Sequence, residues 1–311
     1  MGGHSKGRII AVNGPLATCE VEQDREVLQN EVAFVKCQGV PLKAEVIRVR
    51  GRQIDMQVFE STTGMVVGDE VEFSGELLSV TLGPGILGMI YDGLQNPLKQ
   101  LQNAQGFFLK RGQYLHALDE EKQWEFTPAV ARGDVVKPGQ YLGSVPEGIF
   151  QHHIIVPLRL QGAWEVMEIK PKGRYRVSDP LATLKNTSDY SFLLGKEEQV
   201  TMKQEWPVKM PVRAYEERLL PNRQLLTQCR LIDIFFPLAE GGTSCIPGPF
   251  GAGKTVLQQI ISRYAEADVV IIVACGERAG EVVETIREFP ELEDPKTGES
   301  LMNRTVIICN T

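Results

Sequence analysis

Residues 246–260 read IPGPFGAGKTVLQQI, with Gly248, Gly251 and Gly253 followed at once by Lys254 and Thr255. Glycine costs backbone entropy wherever it is ordered, so a loop this rich in it is built to meet something closely. The spacing Gly248, four residues, Gly253-Lys254-Thr255 is the phosphate-cradling loop pattern. An extended approach, GGTSCI, precedes it. The segment KTVLQQIISRYA follows, with Val256, Leu257, Ile260, Ile261 and Tyr264 at helical spacing. Loop backbone N–H groups and the helix dipole then combine into an anion site. In that site Lys254 neutralises terminal phosphates and Thr255 offers an oxygen to Mg²⁺. Chance alone would place this pattern in roughly one chain in a hundred of this length.

Further along, VVIIVACGERAGEVVETIREF joins an apolar, β-branched run to a helical pattern. Such a run predicts a parallel strand covered on both faces. Ligands of open α/β sheets sit beyond the carboxyl ends of the strands, which directs Glu277 and Arg278 toward the phosphates. A carboxylate there polarises an attacking water, and an arginine stabilises charge on the γ-phosphate. The plainer alternative is a helix-entry glutamate in a surface ion pair.

Composition narrows the class. The chain has 311 residues, 42% hydrophobic and 23% charged, with net charge −7. That acidic balance argues against a nucleic-acid partner. No apolar run approaches a membrane span, and MGGHSKGRII lacks a signal-peptide core, so the expected location is cytoplasmic. The six cysteines, at 19, 37, 229, 245, 275 and 309, include no Cys-x-x-Cys pair and are expected to be buried thiols. His152-His153 are adjacent on a strand and point to opposite faces, which disfavours a metal site.

Four stretches organise the chain. Residues 1–70 carry short β-like runs (GRIIAVN, LATCEVE, EVAFVKCQG, AEVIRVRG, IDMQVFE) and predict a small β-barrel. Residues 71–105 are a glycine-rich link and the start of a nucleotide-binding core. Residues 106–186 read as an inserted β-rich module around GDVVKPGQYLGSV, and residues 187–311 as the α/β P-loop core. The central run resembles the hammerhead turn of biotinyl and lipoyl carriers. Val208-Lys209-Met210, the nearest analogue of a carrier tripeptide, lies outside the module, so a structural role is expected.

The segments GDEVEFSGELLSVTLGPGILGMIYDGLQNPL, RLIDIFFPLAEGGTSCIPGPFGAGKT, CGERAGEVVE and EFPELEDPKTGESLMNRTVIICNT together resemble the catalytic A subunit of V-type/A-type rotary ATPases, of bacterial or archaeal type. The resemblance implies a truncated, RecA-like P-loop core behind a β-barrel, with an inserted module that F-type catalytic subunits lack. It implies ATP or ADP and Mg²⁺ bound by Gly248, Pro249, Phe250, Gly251, Ala252, Gly253, Lys254 and Thr255. Thr255 is then the metal ligand, Glu277 the water-positioning carboxylate and Arg278 its neighbour. Eukaryotic members tend to have cysteine at the position of Ala252. The partners implied are non-catalytic B subunits in an alternating hexamer, with central and peripheral stalk subunits. The chain would lie on the cytoplasmic face of the membrane, touching the membrane ring only indirectly, and would couple ATP hydrolysis or synthesis to H⁺ or Na⁺ transport.

Three departures from the family pattern stand out. The TGQR that precedes the loop reads Thr227-Gln228-Cys229-Arg230, without its glycine. The Gly-Asn-Glu after the Gly-Glu-Arg motif reads Ala279-Gly280-Glu281. The family continues past VIICNT to a Mg²⁺-associated aspartate, so residues 1–311 alone are expected to lack useful turnover and to leave apolar strands uncovered. Two other function classes pair a small barrel or a hexamer with a P-loop core. An RNA or DNA translocase would need stacking aromatics and basic charge in its barrel, yet residues 1–70 offer only Phe34 and Phe59. A hexameric export ATPase is disfavoured by the inserted module.

Overall fold

Alternation of apolar and polar residues along six short strands closes a barrel at the N-terminal end of the computed structural model. The structure describes residues 5–22, 27–106, 110–187, 197–212, 217, 219–249, 251–276 and 279–310. The strands are β1 (Lys6–Asn13), β2 (Leu16–Val21), β3 (Glu31–Cys37), β4 (Val40–Arg50), β5 (Gln53–Val58) and β6 (Glu70–Leu77), in the order β1-β2-β5-β4-β3-β6. Inward positions such as Ile9, Cys19, Val35, Leu42, Met56 and Phe73 form one dry core. Burial pushes the Cys19 thiol up to about 12, with Asp55 adding to the effect. Register shifts at Ile9/Ala11, Glu31/Ala33 and Val46/Arg48 give the local bends that closure needs. The closing strand β6 lies beyond the boundary at 70 expected from sequence, because it alone pairs with both β1 and β3.

Two later segments, Lys99–Leu115 and Glu205–Pro211, belong to the barrel's compact unit. Arg111 donates to the carbonyls of Ser61 and Thr63 at 2.7 Å each. The Tyr114 hydroxyl accepts the Lys43 N–H at 2.7 Å and donates to Glu60 at 2.6 Å. Lys209 pairs with Glu45 at 2.8 Å. Strand β7 (Ser79–Leu82) meets β17 (Gln204–Pro207) in a two-stranded ribbon.

The second unit holds the β-rich module and the nucleotide core. In the module, β9 (Gln123–Pro128), β11 (Tyr141–Glu147), β12 (Phe150–Ile155) and β14 (Gly173–Arg176) make one sheet. The other sheet contains β10 (Val135–Val136), β13 (Trp164–Ile169), β15 (Ala182–Asn186) and β16 (Glu197–Val200), so its last strand lies past residue 186. Their cores centre on Phe126, Val145 and Leu181 in one case and Trp164, Val166 and Leu184 in the other. His152 hydrogen-bonds Glu147 at 2.7 Å, and the His153 ring lies 4.1 Å from that of Tyr141. Among the described residues no group of three or more His, Cys, Asp or Glu side chains converges on a metal-sized site.

In the core, β8 (Ile90–Asp92), β20 (Val270–Cys275) and β21 (Thr305–Asn310) form a parallel sheet in the order β20-β21-β8. The helices are α2 (Arg230–Phe235), α3 (Lys254–Tyr264) and α4 (Ala279–Glu288), after α1 (Leu98–Gln105) earlier in the chain. A short ribbon pairs β18 (Gln224–Leu225) with β19 (Leu238–Ala239). Val282 and Ile286 of α4 pack with Ile272, Ala274, Ile307 and Cys309 on one face of the sheet. The other face of β20 departs from the two-sided burial expected: Ile271 and Val273 are 64% and 54% exposed, because nothing described packs over them. For the same reason Cys275, at the end of that face, is an exposed thiol, as is Cys245, whereas Cys19, Cys37 and Cys309 are buried as expected. No helix among the described residues is long and apolar enough to cross a membrane.

Gly143, on β11, has no room for a side chain. A Cβ there would stand 2.3 Å from Phe126 Cε2 and 2.6 Å from the Thr127 carbonyl oxygen. Gly143→Ala should therefore destabilise the module by about 1–3 kcal/mol through overpacking against backbone as well as ring. Thermal unfolding of the variant beside its parent would show this as a lower transition, and an unchanged transition would refute it.

Candidate functional site

The loop sequence forces a particular backbone. Gly251 and Gly253 have φ of 75° and 81°, a left-handed region that side chains disfavour. Gly253 is the N-cap of α3 and has no side chain, so it offers no capping oxygen to the first N–H groups of the helix. Gly248 lies on the inner side of the turn, where an added Cβ would come within 3.1 Å of Ala252 Cβ. Small residues at 248 and 252 thus keep the loop tight. The Lys254 ammonium donates to the carbonyls of Gly248 at 2.7 Å and Pro249 at 3.0 Å, folding back over its own loop.

The approach to the loop differs from expectation. Residues 243–249 pair with no strand among the described residues. Only Thr243, Ser244, Cys245 and Ile246 separate Gly242 from Pro247, and proline has no N–H for a ladder. The helix after the loop is present as expected, yet none of its side chains is buried. Val256 and Ile260 are 58% and 40% exposed.

The residues that lead into the Gly-Glu-Arg motif belong to the parallel sheet. Its carboxyl ends lie in register, with Cys275 beside Asn310 and Cys309 beside Asp92. Gly276, with φ of 67°, donates its N–H to the Asn310 carbonyl at 2.8 Å and ends β20 in a turn. Glu277 and Arg278 follow directly and lie outside the described residues, as does Phe250 of the loop. Ala279-Gly280-Glu281, the second departure, opens α4, and a Cβ at Gly280 would meet nothing within 4 Å. Gly248, Pro249, Gly251, Ala252, Gly253, Lys254 and Thr255 thus come together in one turn at the start of α3.

Two polar groupings of the nucleotide core escaped the sequence reading. One is the pairing of Thr227 with Asp233; the other is a buried arginine, Arg304, at the foot of β21. Thr227 and Asp233, like Arg304 and its partner Asp294, are close in sequence, but neither spacing is distinguishable from ordinary loop chemistry.

Comparison with known proteins gives three matches along the chain. A model described as the ATP synthase alpha/beta family β-barrel domain matches residues 9–75. The ATP synthase alpha/beta subunit barrel-sandwich domain matches 115–209, and the nucleotide-binding domain of the same family matches 228–311. The chain is 54% identical over 308 residues to the V-type ATP synthase alpha chain of Borreliella burgdorferi strain ZS7, covering 99% of this chain and 52% of that one. The proteins of the same name from Borrelia turicatae and Borrelia hermsii are 53% and 52% identical over 307 residues, with the same coverage. The chain therefore spans about half the length of these relatives.

The missing glycine of the first departure has a structural answer. Gln228 stands where the resemblance places glycine, and it holds φ of 63°, keeping a left-handed turn without the residue that suits it. What enforces the turn is Asp233: its carboxylate accepts the Thr227 N–H at 3.0 Å and the Thr227 hydroxyl at 2.7 Å. Those bonds, backbone first, hold the Asp233 carboxyl below its usual range. The Thr227 hydroxyl also accepts the Cys229 N–H at 3.2 Å. Gln228→Gly should relieve strain and stabilise by up to about 1 kcal/mol, whereas Gln228→Val should cost about 1–2 kcal/mol. Urea unfolding of the three proteins checks the order Gly, Gln, Val; a valine variant as stable as the parent would contradict the strained turn.

Proposed function

This chain belongs to the ATP synthase alpha/beta family, and on that basis we propose that it is part of the catalytic subunit of a rotary ATPase. In this reading the subunit couples ATP hydrolysis or synthesis to H⁺ or Na⁺ transport. The observation that carries the reading is the left-handed Gly253 N-cap, which opens α3 directly behind a glycine turn with Lys254 folded over it. Helix-start N–H groups without a side-chain cap and an ammonium held on two loop carbonyls suit a polyphosphate, and the close approach of Gly248 to Ala252 keeps the turn tight.

Residues Gly248 to Thr255 would hold the β- and γ-phosphates of ATP or ADP. Lys254 would exchange its two loop carbonyls for phosphate oxygens, trading neutral acceptors for charged ones. The Thr255 hydroxyl, one residue into the helix, is the side chain offered to Mg²⁺, whose role when bound is to neutralise charge on the phosphates. Glu277 would orient and polarise the attacking water and Arg278 would stabilise charge beside it; both roles rest on the resemblance and on the turn at Gly276 that precedes them. The partners proposed are non-catalytic B subunits alternating around a hexamer, with central and peripheral stalks. The subunit would sit peripherally on the cytoplasmic face of the membrane, with no nucleic acid bound.

Two substitutions in the full-length protein test this reading. Lys254→Ala should weaken Mg-ATP binding by about 2–3 kcal/mol, the worth of a charge-assisted hydrogen-bonding group. Calorimetry on the variant and its parent decides it, and equal affinities would remove the loop from the site. In the assembled complex Glu277→Gln should still bind nucleotide while turnover falls by about 10² or more. Phosphate release near the parental rate would make Glu277 a structural residue.

A further inference from the structure

Helix α3 carries the loop at one end, yet packing does little to hold it, since none of its side chains is buried. Its other end is held by hydrogen bonds. Arg304, only 3% exposed, donates from one terminal nitrogen to the Ala267 carbonyl at 2.7 Å and from the other to the Arg263 carbonyl at 3.3 Å. Its Nε donates to Asp294 Oδ2 at 3.0 Å, and Asp294 is 2% exposed. The second Asp294 oxygen accepts the Lys296 N–H at 3.0 Å, while the Asp294 carbonyl accepts the Gly298 N–H at 2.8 Å. The tight DPKTG turn therefore holds the carboxylate, the carboxylate orients the guanidinium, and the guanidinium grips the carboxyl end of α3. Arg263 adds a bond in the opposite direction, from Nε to the Glu293 carbonyl at 3.1 Å.

The position of Arg304 in the chain gives this grip its significance. It is the last residue before β21, and β21 pairs along its whole length with β20, the strand that delivers Gly276 and then Glu277. Arg304 thus ties the carboxyl end of α3 directly to the start of β21, and no buried side chain of the helix shares that task, so this one contact sets the direction in which the loop end points. An 11-residue helix is roughly 16 Å long, so a tilt of a few degrees at its foot moves its first turn by about 1 Å. A displacement of that size is enough to cost an oriented site much of its rate.

We propose that Arg304, oriented by Asp294, is a positioning residue that fixes the phosphate loop relative to the carboxyl ends of the sheet. This rests on the nucleotide-binding reading of the loop. Lysine at 304 keeps a charge for Asp294 but lacks the planar fork needed to reach both carbonyls at once.

The test is Mg-ATP affinity and steady-state turnover of the full-length protein in its complex, for the parent, Arg304→Lys and Asp294→Asn, well below their melting temperatures. Arg304→Lys is expected to weaken Mg-ATP binding and lower kcat/KM by about tenfold with the circular dichroism spectrum unchanged, and Asp294→Asn to do the same by a smaller factor. A purely structural pair would lower the melting temperature and leave the affinity of the folded protein within twofold of the parent, which overturns the proposal. Should Arg304→Lys not fold, Asp294→Asn keeps the guanidinium and carries the same readout. A parent protein that fails to bind Mg-ATP sinks the nucleotide reading and this inference with it. Parental binding with both variants at parental affinity sinks the inference alone.

Discussion

A single buried carboxylate organises the second unit. Glu147, at the end of β11, accepts the Gly85 N–H at 2.6 Å on one oxygen and meets His152 at 2.7 Å on the other. Buried backbone donors have to be satisfied, and a loop as glycine-rich as residues 83–88 has few side chains with which to do it. With Glu147 in place, the loop lies flat against the module. Any side chain at Gly83 would strike Leu118 and the backbone of Met202 and Lys203, and one at Gly85 would reach Trp124. The chain then enters β8, where Tyr91 is 1% exposed and donates to the Ala117 carbonyl at 2.8 Å. Burial, reinforced by the nearby Glu147 charge, pushes that phenol up to about 12, so it remains a donor at any physiological pH. Sheet and module thus share one short segment whose conformation is set by a carboxylate and a phenol.

The phosphate loop follows the opposite logic. There the helix start has no capping side chain, and its ammonium is lodged on two carbonyls of its own loop. Backbone donors at a helix start without a side-chain cap are cheap to keep in water and strong toward an anion. Apart from the close approach of Gly248 to Ala252, such a loop asks little of its side chains. What it does not tolerate is a change in backbone direction, so the scaffold behind the loop matters more than the side chains within it.

Much of this was legible in the residues. The alternation in LATCEV and EVAFVKC announces a barrel wall, and the glycine spacing from 248 to 253 announces the loop and helix that the structure contains. Less legible was anything that depends on pairing between distant segments. GDEVEFSGEL alternates as well as any other strand, but nothing local says that it closes a barrel rather than starting a link. IYD is three residues long, too short for periodicity, and becomes a strand only because β21 offers it a ladder. Gln228 hides a glycine-like turn behind an ordinary side chain, since φ cannot be read from a residue that merely tolerates it. Arg304 looks like any loop arginine until three acceptors converge on it.

The parallel pairing of β8 with β21 also dictates an order of events while the chain is being made. Barrel strands are joined mostly by short connections, so their contacts form as soon as each hairpin is complete. β8 has to wait until most of the chain has followed it, because among the described residues its one sheet neighbour is β21. At ordinary rates of synthesis that delay is about 10–40 s, far longer than a hairpin takes to close. During it, Ile90 and Tyr91 are an apolar strand without a ladder, the kind of segment that chaperones bind and that aggregates form around. The Glu147 hydrogen bond to Gly85 is complete by residue 152, long before β21 exists, and so provides an early mooring for the segment that must wait longest.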